Sequence, residues 1–273
     1  MQFTTEQTKA YYDKSEELYK SFWNDKWGVK WGFCDSKTDL QKGIYLMIQS
    51  ALTSLKLEPH MNVLEVGCGN GEVSLLMARE HYVHVAGMDL SPKRIEGAKY
   101  NLSKAKGIYT KVDFYEMNAE NLDFENDSFQ RILSQSMMYH VHDKMKALKE
   151  VYRVLDDEGL FVFDDLFKPQ NTISVAAKEY VYNRLLFDTD FSFIGYQVAL
   201  KAVGFRILSV ADHSDYMANT YRELKSILED KIQRGESKGY HKHYKELIVA
   251  YEESAKAVDR NEVGWLTCVC QKM

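Results

Sequence analysis

A nine-residue stretch, Val63-Leu64-Glu65-Val66-Gly67-Cys68-Gly69-Asn70-Gly71, constrains the fold more than any other part of the sequence. Its first four residues form a short, mostly apolar run of the kind found in a buried strand. Glycine permits a tight turn after such a strand, and because it has no Cβ atom it lets a ligand approach the backbone. A helical pattern begins directly afterwards. The stretch therefore predicts a strand, a ligand-binding loop and the first turn of a helix.

Strand and helix patterns alternate after this loop. The predicted strands are 62–66, 83–88, 111–116, 129–134, 159–163, 205–212 and 263–270. The helices predicted between the first five strands include 72–80, 91–106 and 143–155. Alternating strands and helices imply crossover connections and a parallel sheet. We therefore predict an α/β, Rossmann-like fold with a seven-stranded, mostly parallel sheet and helices on both faces.

The remaining segments predict helices outside this alternation. Residues 1–58 contain helical patterns at 5–23 and 39–55, and we expect them to form an N-terminal helical cap. Residues 59–273 form the expected ligand-binding domain. Its insertions near 167–192 and 214–260 carry further helical patterns, at 172–187 and 216–257. Connections of that length need structure of their own and often form a lid.

Composition excludes several classes of protein. The chain has 273 residues, of which 45% are hydrophobic and 27% are charged, as in a globular protein with a full core. A net charge of −5 argues against a nucleic-acid substrate. The four cysteines form no C-x-x-C pair, so no metal site is expected. No apolar run is long enough to span a membrane, and the polar N-terminus favours a cytoplasmic location.

Two acidic residues indicate which ligand the loop binds. Asp89 ends the second strand, where a carboxylate lies beside the first loop and accepts hydrogen bonds from ribose hydroxyls. Glu65 stands just before the first glycine, where it would repel a pyrophosphate but tolerate an ammonium and a sulfonium. This charge argument favours S-adenosylmethionine (SAM) as cofactor and disfavours the alternative, an NAD-dependent oxidoreductase.

The motifs resemble those of class I SAM-dependent methyltransferases. Residues 63–71 resemble motif I, residues 87–92 resemble the next motif, and Asn118-Ala119 followed by 127–129 is similar to a third, with Asn118 in place of the usual Asp. An amide oxygen can still accept a hydrogen bond from an adenine amine. The cofactor contacts that the resemblance implies in this domain are Glu65, Gly67, Gly69, Gly71, Asp89, Leu90, Asn118, Ala119 and Gln135.

The N-terminal segment narrows the resemblance to small-molecule methyltransferases. Tyr11-Tyr12-Asp13 and Trp31-Gly32-Phe33 look like the entry segment of sugar O-methyltransferases, sarcosine and phosphoethanolamine N-methyltransferases, isoprenoid C-methyltransferases and cyclopropane fatty acid synthases. In those relatives the segment folds over SAM, which implies cofactor contacts from Tyr12, Trp31 and Gly32. The alternative is that these aromatic residues only pack a helix onto the domain.

The end of the fourth strand supplies the candidate catalytic residues. His140 matches the second histidine of a pair in the sugar O-methyltransferases, Tyr139 replaces the first, and Asp165 matches their acidic partner. The resemblance implies transfer to a hydroxyl oxygen of a small-molecule acceptor, with His140 as base and with Asp165 orienting it and raising its pKa. A structural His140, N- or C-methylation of an amine or isoprenoid, and a non-catalytic SAM-binding protein remain open. The sequence indicates no oligomeric state.

Overall fold

A single seven-stranded sheet organises the chain. The computed structural model describes residues 3–23, 27–35, 37–169, 172–187, 189 and 191–273. The strands are β1 (Asn62–Val66), β2 (His84–Asp89), β3 (Val112–Glu116), β4 (Phe129–Gln135), β5 (Leu155–Phe167), β6 (Phe205–Asp212) and β7 (Gly264–Lys272). Their order across the sheet is β3-β2-β1-β4-β5-β7-β6. The predicted α/β fold with a mostly parallel sheet is confirmed.

The strand pairing locates the ligand crevice. β1 pairs in parallel with β2 on one side and with β4 on the other, while β7 runs antiparallel between β5 and β6. The chain therefore winds outward from β1 to β3 and then restarts at β4. In such sheets the crevice lies where the strand order reverses, outside the carboxyl ends of the strands. That place is the end of β1 and β4.

Helices cover both faces of the sheet. They are α1 (Thr5–Lys20), α2 (Leu40–Leu55), α3 (Glu72–His81), α4 (Pro92–Lys104), α5 (Lys144–Val154), α6 (Val175–Ala177), α7 (Phe193–Val203), α8 (Ser214–Gln233) and α9 (His241–Asp259). One core joins α2, α3, α8 and α9 to one face, and a second joins α5 and α7 to the other. None of the described helices is long and apolar enough to cross a membrane.

Local sequence signals set several helix starts. Asp39 caps α2 by accepting a hydrogen bond from the Lys42 backbone N–H at 2.9 Å. Ser91 caps α4 and accepts from the Arg94 backbone N–H at 3.2 Å, with Pro92 in the first turn. Proline suits that position because its missing N–H has no partner within the helix. Both helices start where the sequence predicted them, with their caps at residues 39 and 91.

Two insertions differ from the prediction. The expected helix at 172–187 is a three-residue α6 followed by a π-helical turn, Lys178–Asn183. The expected helix at 216–257 is divided into α8 and α9, because Gly235 and Gly239 both adopt positive φ angles between them. β5 is also longer than predicted, since it pairs with both β4 and β7 along its length.

Candidate functional site

A deep cleft opens at the carboxyl ends of β1, β2 and β4. Its empty volume is about 1180 Å³, including the open mouth. The glycine-rich loop and the ends of the three strands form its floor, and α1 and residues 28–30 cover it. The predicted residues that line it are Tyr12, Gly67, Gly69, Asp89, Leu90, Asn118, Ala119, Gln135 and His140. Among the described residues, no group of three His, Cys, Asp or Glu side chains could hold a metal ion.

The glycines of the loop serve different purposes. Gly69 has a φ of +56°, and a Cβ built on it would meet only an Arg94 guanidinium nitrogen, at 3.8 Å. Because Gly69 has no side chain, space for a ligand remains on the cleft side of the loop. A Cβ on Gly71 would instead approach the Phe114 ring to 2.6 Å. Gly71 was expected to contact the cofactor, but it does not line the cleft. Its missing Cβ instead lets α3 start close against the sheet.

Asp89 holds the floor of the cleft together. Its carboxylate accepts hydrogen bonds from the Gly69 backbone N–H at 3.0 Å and from the Ser91 backbone N–H at 2.9 Å. The same side chain therefore connects the glycine-rich loop to the start of α4. The carboxylate oxygens have further lone pairs, and Asp89 lines the cleft, so they can accept hydrogen bonds from a ligand.

Asn118 uses part of its hydrogen-bonding capacity within its own loop. Its Oδ1 atom accepts from the Glu120 backbone N–H at 2.9 Å. A carbonyl oxygen has two lone pairs, so one acceptor position remains for a ligand amine. The adjacent Ala119 is buried and also lines the cleft.

Glu65 was expected to contact the cofactor, and the structure places it elsewhere. It does not line the cleft: its buried carboxyl group accepts a hydrogen bond from the Ser74 hydroxyl of α3. Burial raises the pKa of Glu65 to about 7, although Lys30 and Ser74 oppose the shift. Glu65 thus supports the loop from behind. Because its pKa is about 7, its negative charge is only partly present at neutral pH, and the charge argument against a pyrophosphate has less force than the sequence suggested.

Tyr12, Tyr139 and His140 form a cluster where the cleft narrows. The Tyr12 hydroxyl bonds to His140 Nε2 and lies 3.4 Å from the Tyr139 hydroxyl. The Arg94 guanidinium lies 4.1 Å from the centre of the Tyr12 ring, a cation–π contact. Burial raises the pKa of Tyr12 to about 12. The Tyr12 phenol is therefore protonated at neutral pH, and it can donate to His140 Nε2 in the tautomer that carries the ring hydrogen on Nδ1.

The predicted pairing of His140 with Asp165 is not formed. Asp165 lines neither cavity, and its carboxyl group accepts a hydrogen bond from the Tyr196 hydroxyl. Among the described residues, His140 Nδ1 and Asp165 Oδ1 have no hydrogen-bond partner. Burial, aided by Lys144 and Arg94, holds the pKa of His140 well below its usual range. This direction is opposite to the expectation, because no carboxylate stabilises the imidazolium.

A second, smaller cavity adjoins the cleft. Its empty volume is about 340 Å³, including open solvent, and it shares Tyr12, Tyr19, Val29 and Lys30 with the cleft. Trp31 and Tyr139 line this second cavity and not the cleft. Gly32 lines neither cavity, because it packs against α2: a Cβ there would come within 2.5 Å of the Ile44 backbone nitrogen. Two predicted cofactor contacts, Trp31 and Gly32, therefore lie outside the cleft.

Several cleft residues were not predicted. Glu16 lies one turn after Tyr12 on α1, accepts from the Asn70 side-chain amide at 2.9 Å, and lies 3.5 Å from Arg94 Nε. Lys30 is buried and lines both cavities. The spacing of Tyr12 and Glu16 on one helix face was an available signal. Nothing local in the sequence distinguishes Lys30 or Arg94 from surface cations.

Comparisons with known proteins agree with this geometry. Residues 64–163 match the family model for a methyltransferase domain. Phosphoethanolamine N-methyltransferase 1 of Arabidopsis thaliana is 26% identical over 219 residues, which are 80% of this chain and 43% of that protein. (+)-O-methylkolavelool synthase of Herpetosiphon aurantiacus is 25% identical over 228 residues, with 82% of this chain and 78% of that protein covered.

A solved structure extends the similarity of fold to the whole chain. The cyclopropane synthase of Mycobacterium tuberculosis superposes with a TM-score of 0.87 at 16% identity, covering 100% of this chain and 99% of that one. The chain spans 32% to 56% of the length of the first four curated relatives that it matches.

The strand order, the glycine-rich loop joined to Asp89, and the matched domain agree with one another. Residues 64–163 carry a methyltransferase domain, and its cofactor is SAM.

Proposed function

We propose that this chain transfers a methyl group from SAM to a small-molecule acceptor, with a hydroxyl oxygen as the first choice of acceptor atom. The observation that carries the proposal is the Tyr12–His140 hydrogen bond at the junction of the two cavities. It puts a proton-accepting pair between the cofactor cleft and the second cavity, whose walls are largely aromatic. When bound, SAM supplies an electrophilic methyl group on its sulfonium.

The described residues fit the cofactor. In this proposal Asp89 accepts hydrogen bonds from the ribose hydroxyls, and Asn118 with Ala119 holds the adenine; all three line the cleft. The buried Gln135 Oε1 lines the cleft and has no partner among the described residues, so it is available to a ligand. Lys30 and Arg94 provide positive charge for a carboxylate. The cleft thus offers both acidic and basic groups, as a zwitterionic nucleoside requires.

The proposed chemistry of the protein is proton removal. The low pKa of His140 keeps the imidazole neutral at pH 7, and in the tautomer with its hydrogen on Nδ1 the Nε2 atom accepts a hydrogen bond from the Tyr12 hydroxyl. The oxygen of that hydroxyl has a lone pair for the proton of an acceptor. A proton can therefore pass from the acceptor to Tyr12 while the Tyr12 proton passes to His140. Such general-base catalysis contributes about 100-fold to 10,000-fold to the rate.

The cover over the acceptor is assigned to the N-terminal residues 1–58 and to the insertions near 167–192 and 214–260. Each of the three segments contributes to the wall of the second cavity. The N-terminal segment contributes Tyr11, Tyr12 and Trp31, the insertion near 167–192 contributes Arg184 and Leu185, and the insertion near 214–260 contributes Tyr221. In this proposal the three segments exclude water from the reacting atoms. The same cover suits an amine or an isoprenoid carbon, so N- and C-methylation are the alternatives within the class.

The test begins with the cofactor. Calorimetric titration with S-adenosylhomocysteine, with NAD as the control ligand, is expected to show binding of the former alone. Transfer of label from methyl-labelled SAM is then measured on a panel of phenols, alcohols and amines. His140→Asn and Tyr12→Phe should lower turnover by at least about 100-fold while binding of S-adenosylhomocysteine changes little. His243→Asn, on the exposed face of α9, is the matched control.

Each contrary result overturns a separate part of the proposal. Failure of folded protein to bind S-adenosylhomocysteine would remove the cofactor assignment. Transfer that is unaffected by His140→Asn and Tyr12→Phe would remove the proton-accepting role. Tight cofactor binding without transfer to any member of the panel would favour a non-catalytic SAM-binding protein.

A further inference from the structure

The second cavity contains a buried cation. Arg184 follows the π-helical turn at Lys178–Asn183 and lines the cavity together with the aromatic side chains of Tyr11, Tyr19, Trp31, Tyr139 and Tyr221. Its Nε atom donates to the Tyr180 carbonyl oxygen at 2.8 Å, and one terminal nitrogen donates to Ser254 Oγ at 3.4 Å. These two bonds fix the guanidinium in the wall of the cavity.

Within the described part of the chain, Arg184 contacts phenol rings and forms no ion pair with an acidic side chain. Its guanidinium carbon lies 5.2 Å from the centre of the Tyr251 ring and 5.7 Å from that of Tyr221. The groups that act most strongly on its charge, among the described residues, are four tyrosines. Cation–π contacts compensate only part of the cost of removing a guanidinium from water, and a buried charge normally has an acidic partner.

Two further donors in the cavity wall have no partner. Trp31 Nε1 and the Tyr221 hydroxyl are buried, and neither forms a hydrogen bond with any described residue. Trp31 and Arg184 nevertheless come close enough to the Tyr221 oxygen to lower its pKa, although burial raises that pKa overall. An indole N–H, a phenol O–H and a guanidinium therefore meet at one side of the cavity. An indole and a guanidinium have no acceptor atoms, so the group they suit is an acceptor of hydrogen bonds.

We propose that Arg184, Trp31 and Tyr221 form an oxyanion subsite, and that the methyl acceptor carries a carboxylate or phosphate group which occupies it. The inference rests on the proposed function, because it assigns the second cavity to the acceptor. The negative group binds beside Arg184, and the methyl-accepting atom faces Tyr12 and Tyr139 on the cofactor side. Aromatic walls between these ends favour a flat or apolar body.

The subsite makes an unusual prediction about stability. A buried hydroxyl without a partner destabilises the folded protein, so Tyr221→Phe should raise the midpoint of thermal unfolding slightly in the absence of ligand. If Tyr221 donates to a bound oxyanion, the same substitution should weaken binding of that oxyanion. If the Tyr221 hydroxyl did not contact the ligand, Tyr221→Phe would raise the midpoint of thermal unfolding without weakening binding of the oxyanion.

Tyr251→Phe is the matched control. Its hydroxyl is also buried without a described partner, its ring packs on Tyr221 with 5.8 Å between centroids, and it lies near the same Arg184. Tyr251 does not line the second cavity. The two tyrosines therefore share environment and chemistry but differ in access to a ligand there.

The experiment measures probe binding and not turnover. Protein saturated with S-adenosylhomocysteine is titrated with 4-fluorobenzoate, 4-fluorophenyl phosphate and the neutral 4-fluorobenzamide, and binding is followed by fluorine NMR. At least one anionic probe should bind about tenfold or more tightly than the amide. Tyr221→Phe should weaken binding of that anion about tenfold and leave the amide unchanged, whereas Tyr251→Phe should change neither. The tighter of the two anions identifies the group on the acceptor.

Three results would overturn the subsite. Two of them are equal binding of the anions and the amide, and equal effects of Tyr221→Phe and Tyr251→Phe on anion binding. The third comes from repeating the titration on cofactor-free protein, and it is anion binding that is lost when S-adenosylhomocysteine is added. The last result would assign Arg184 to the carboxylate of the cofactor. Because cofactor binding is measured first, failure of the proposed function would be seen separately, as a protein that does not bind S-adenosylhomocysteine.

Discussion

Replacing Glu65 with glutamine should stabilise the protein, and the gain should depend on pH. Glu65 is buried behind the glycine-rich loop, and its pKa is raised from 4.5 to about 7. The folded state therefore holds this proton more tightly than the unfolded state. The stability that the protonated group provides is fully present below pH 4.5 and is lost as the pH rises to about 7.

The size of the effect follows from that difference. Each pKa unit corresponds to about 1.4 kcal/mol, so ionisation of Glu65 costs the folded state about 3 kcal/mol above pH 7. Glutamine has the same shape and stays neutral. The stability of Glu65→Gln relative to the natural protein should therefore increase by about 2.5 kcal/mol between about pH 5 and about pH 8.

Urea unfolding at several pH values, followed by far-ultraviolet circular dichroism, measures this difference. Asp165 is also buried with a pKa raised to about 7, but its contribution is common to both proteins and cancels. Glu80→Gln is the control, because Glu80 is exposed on the same helix as Ser74, which bonds Glu65. A stability difference that stays constant from acid to alkaline pH would refute the reasoning, since it would mean that Glu65 titrates alike in the folded and unfolded chains.

Four further predictions concern the caps, the loop and the pH dependence. Asp39→Ala should lower the free energy of unfolding by about 1 kcal/mol in urea, because α2 loses its capping bond. Gly71→Ala should lower it by about 1–3 kcal/mol, because a Cβ at that positive φ would collide with the Phe114 ring. Asp89→Asn should weaken calorimetric binding of S-adenosylhomocysteine by about tenfold or more. Turnover should show no inflection near pH 6.5, because burial lowers the pKa of His140 and protonation inactivates the base only at more acidic pH.

The parts of the fold that the sequence predicted are set by short-range rules. The strand before Gly67, the cap at Ser91 and the end of β2 at Asp89 each depend on a few neighbouring residues. The handedness of the crossovers then restricts the possible strand orders severely, and the structure shows which of them is adopted. This explains why a motif of nine residues was enough to locate the cleft.

The parts that the sequence missed are set by long-range contacts. Asp164 and Asp165 alternate across β5, but periodicity alone could not show that Asp165 would face Tyr196 of α7 and not His140. The break between α8 and α9 was marked by two glycines, Gly235 and Gly239, yet a helical pattern on both sides concealed it. Arg184 carries no sequence signal, because its significance comes from the rings that surround it.

Some of the buried polar atoms without partners connect stability to binding in this protein. Trp31 Nε1, Gln135 Oε1, His140 Nδ1 and the Tyr221 hydroxyl all lack partners among the described residues, and all belong to side chains that line the cleft or the second cavity. An unsatisfied buried polar group costs about 1–3 kcal/mol, a large share of the 5–15 kcal/mol by which domains are usually stable. Ligands that satisfy these groups recover that cost only in the folded state, so cofactor and acceptor should each stabilise the chain. The same arrangement favours a ligand of complementary charge over a neutral one of the same shape, because only the former satisfies both the guanidinium and its neighbouring donors.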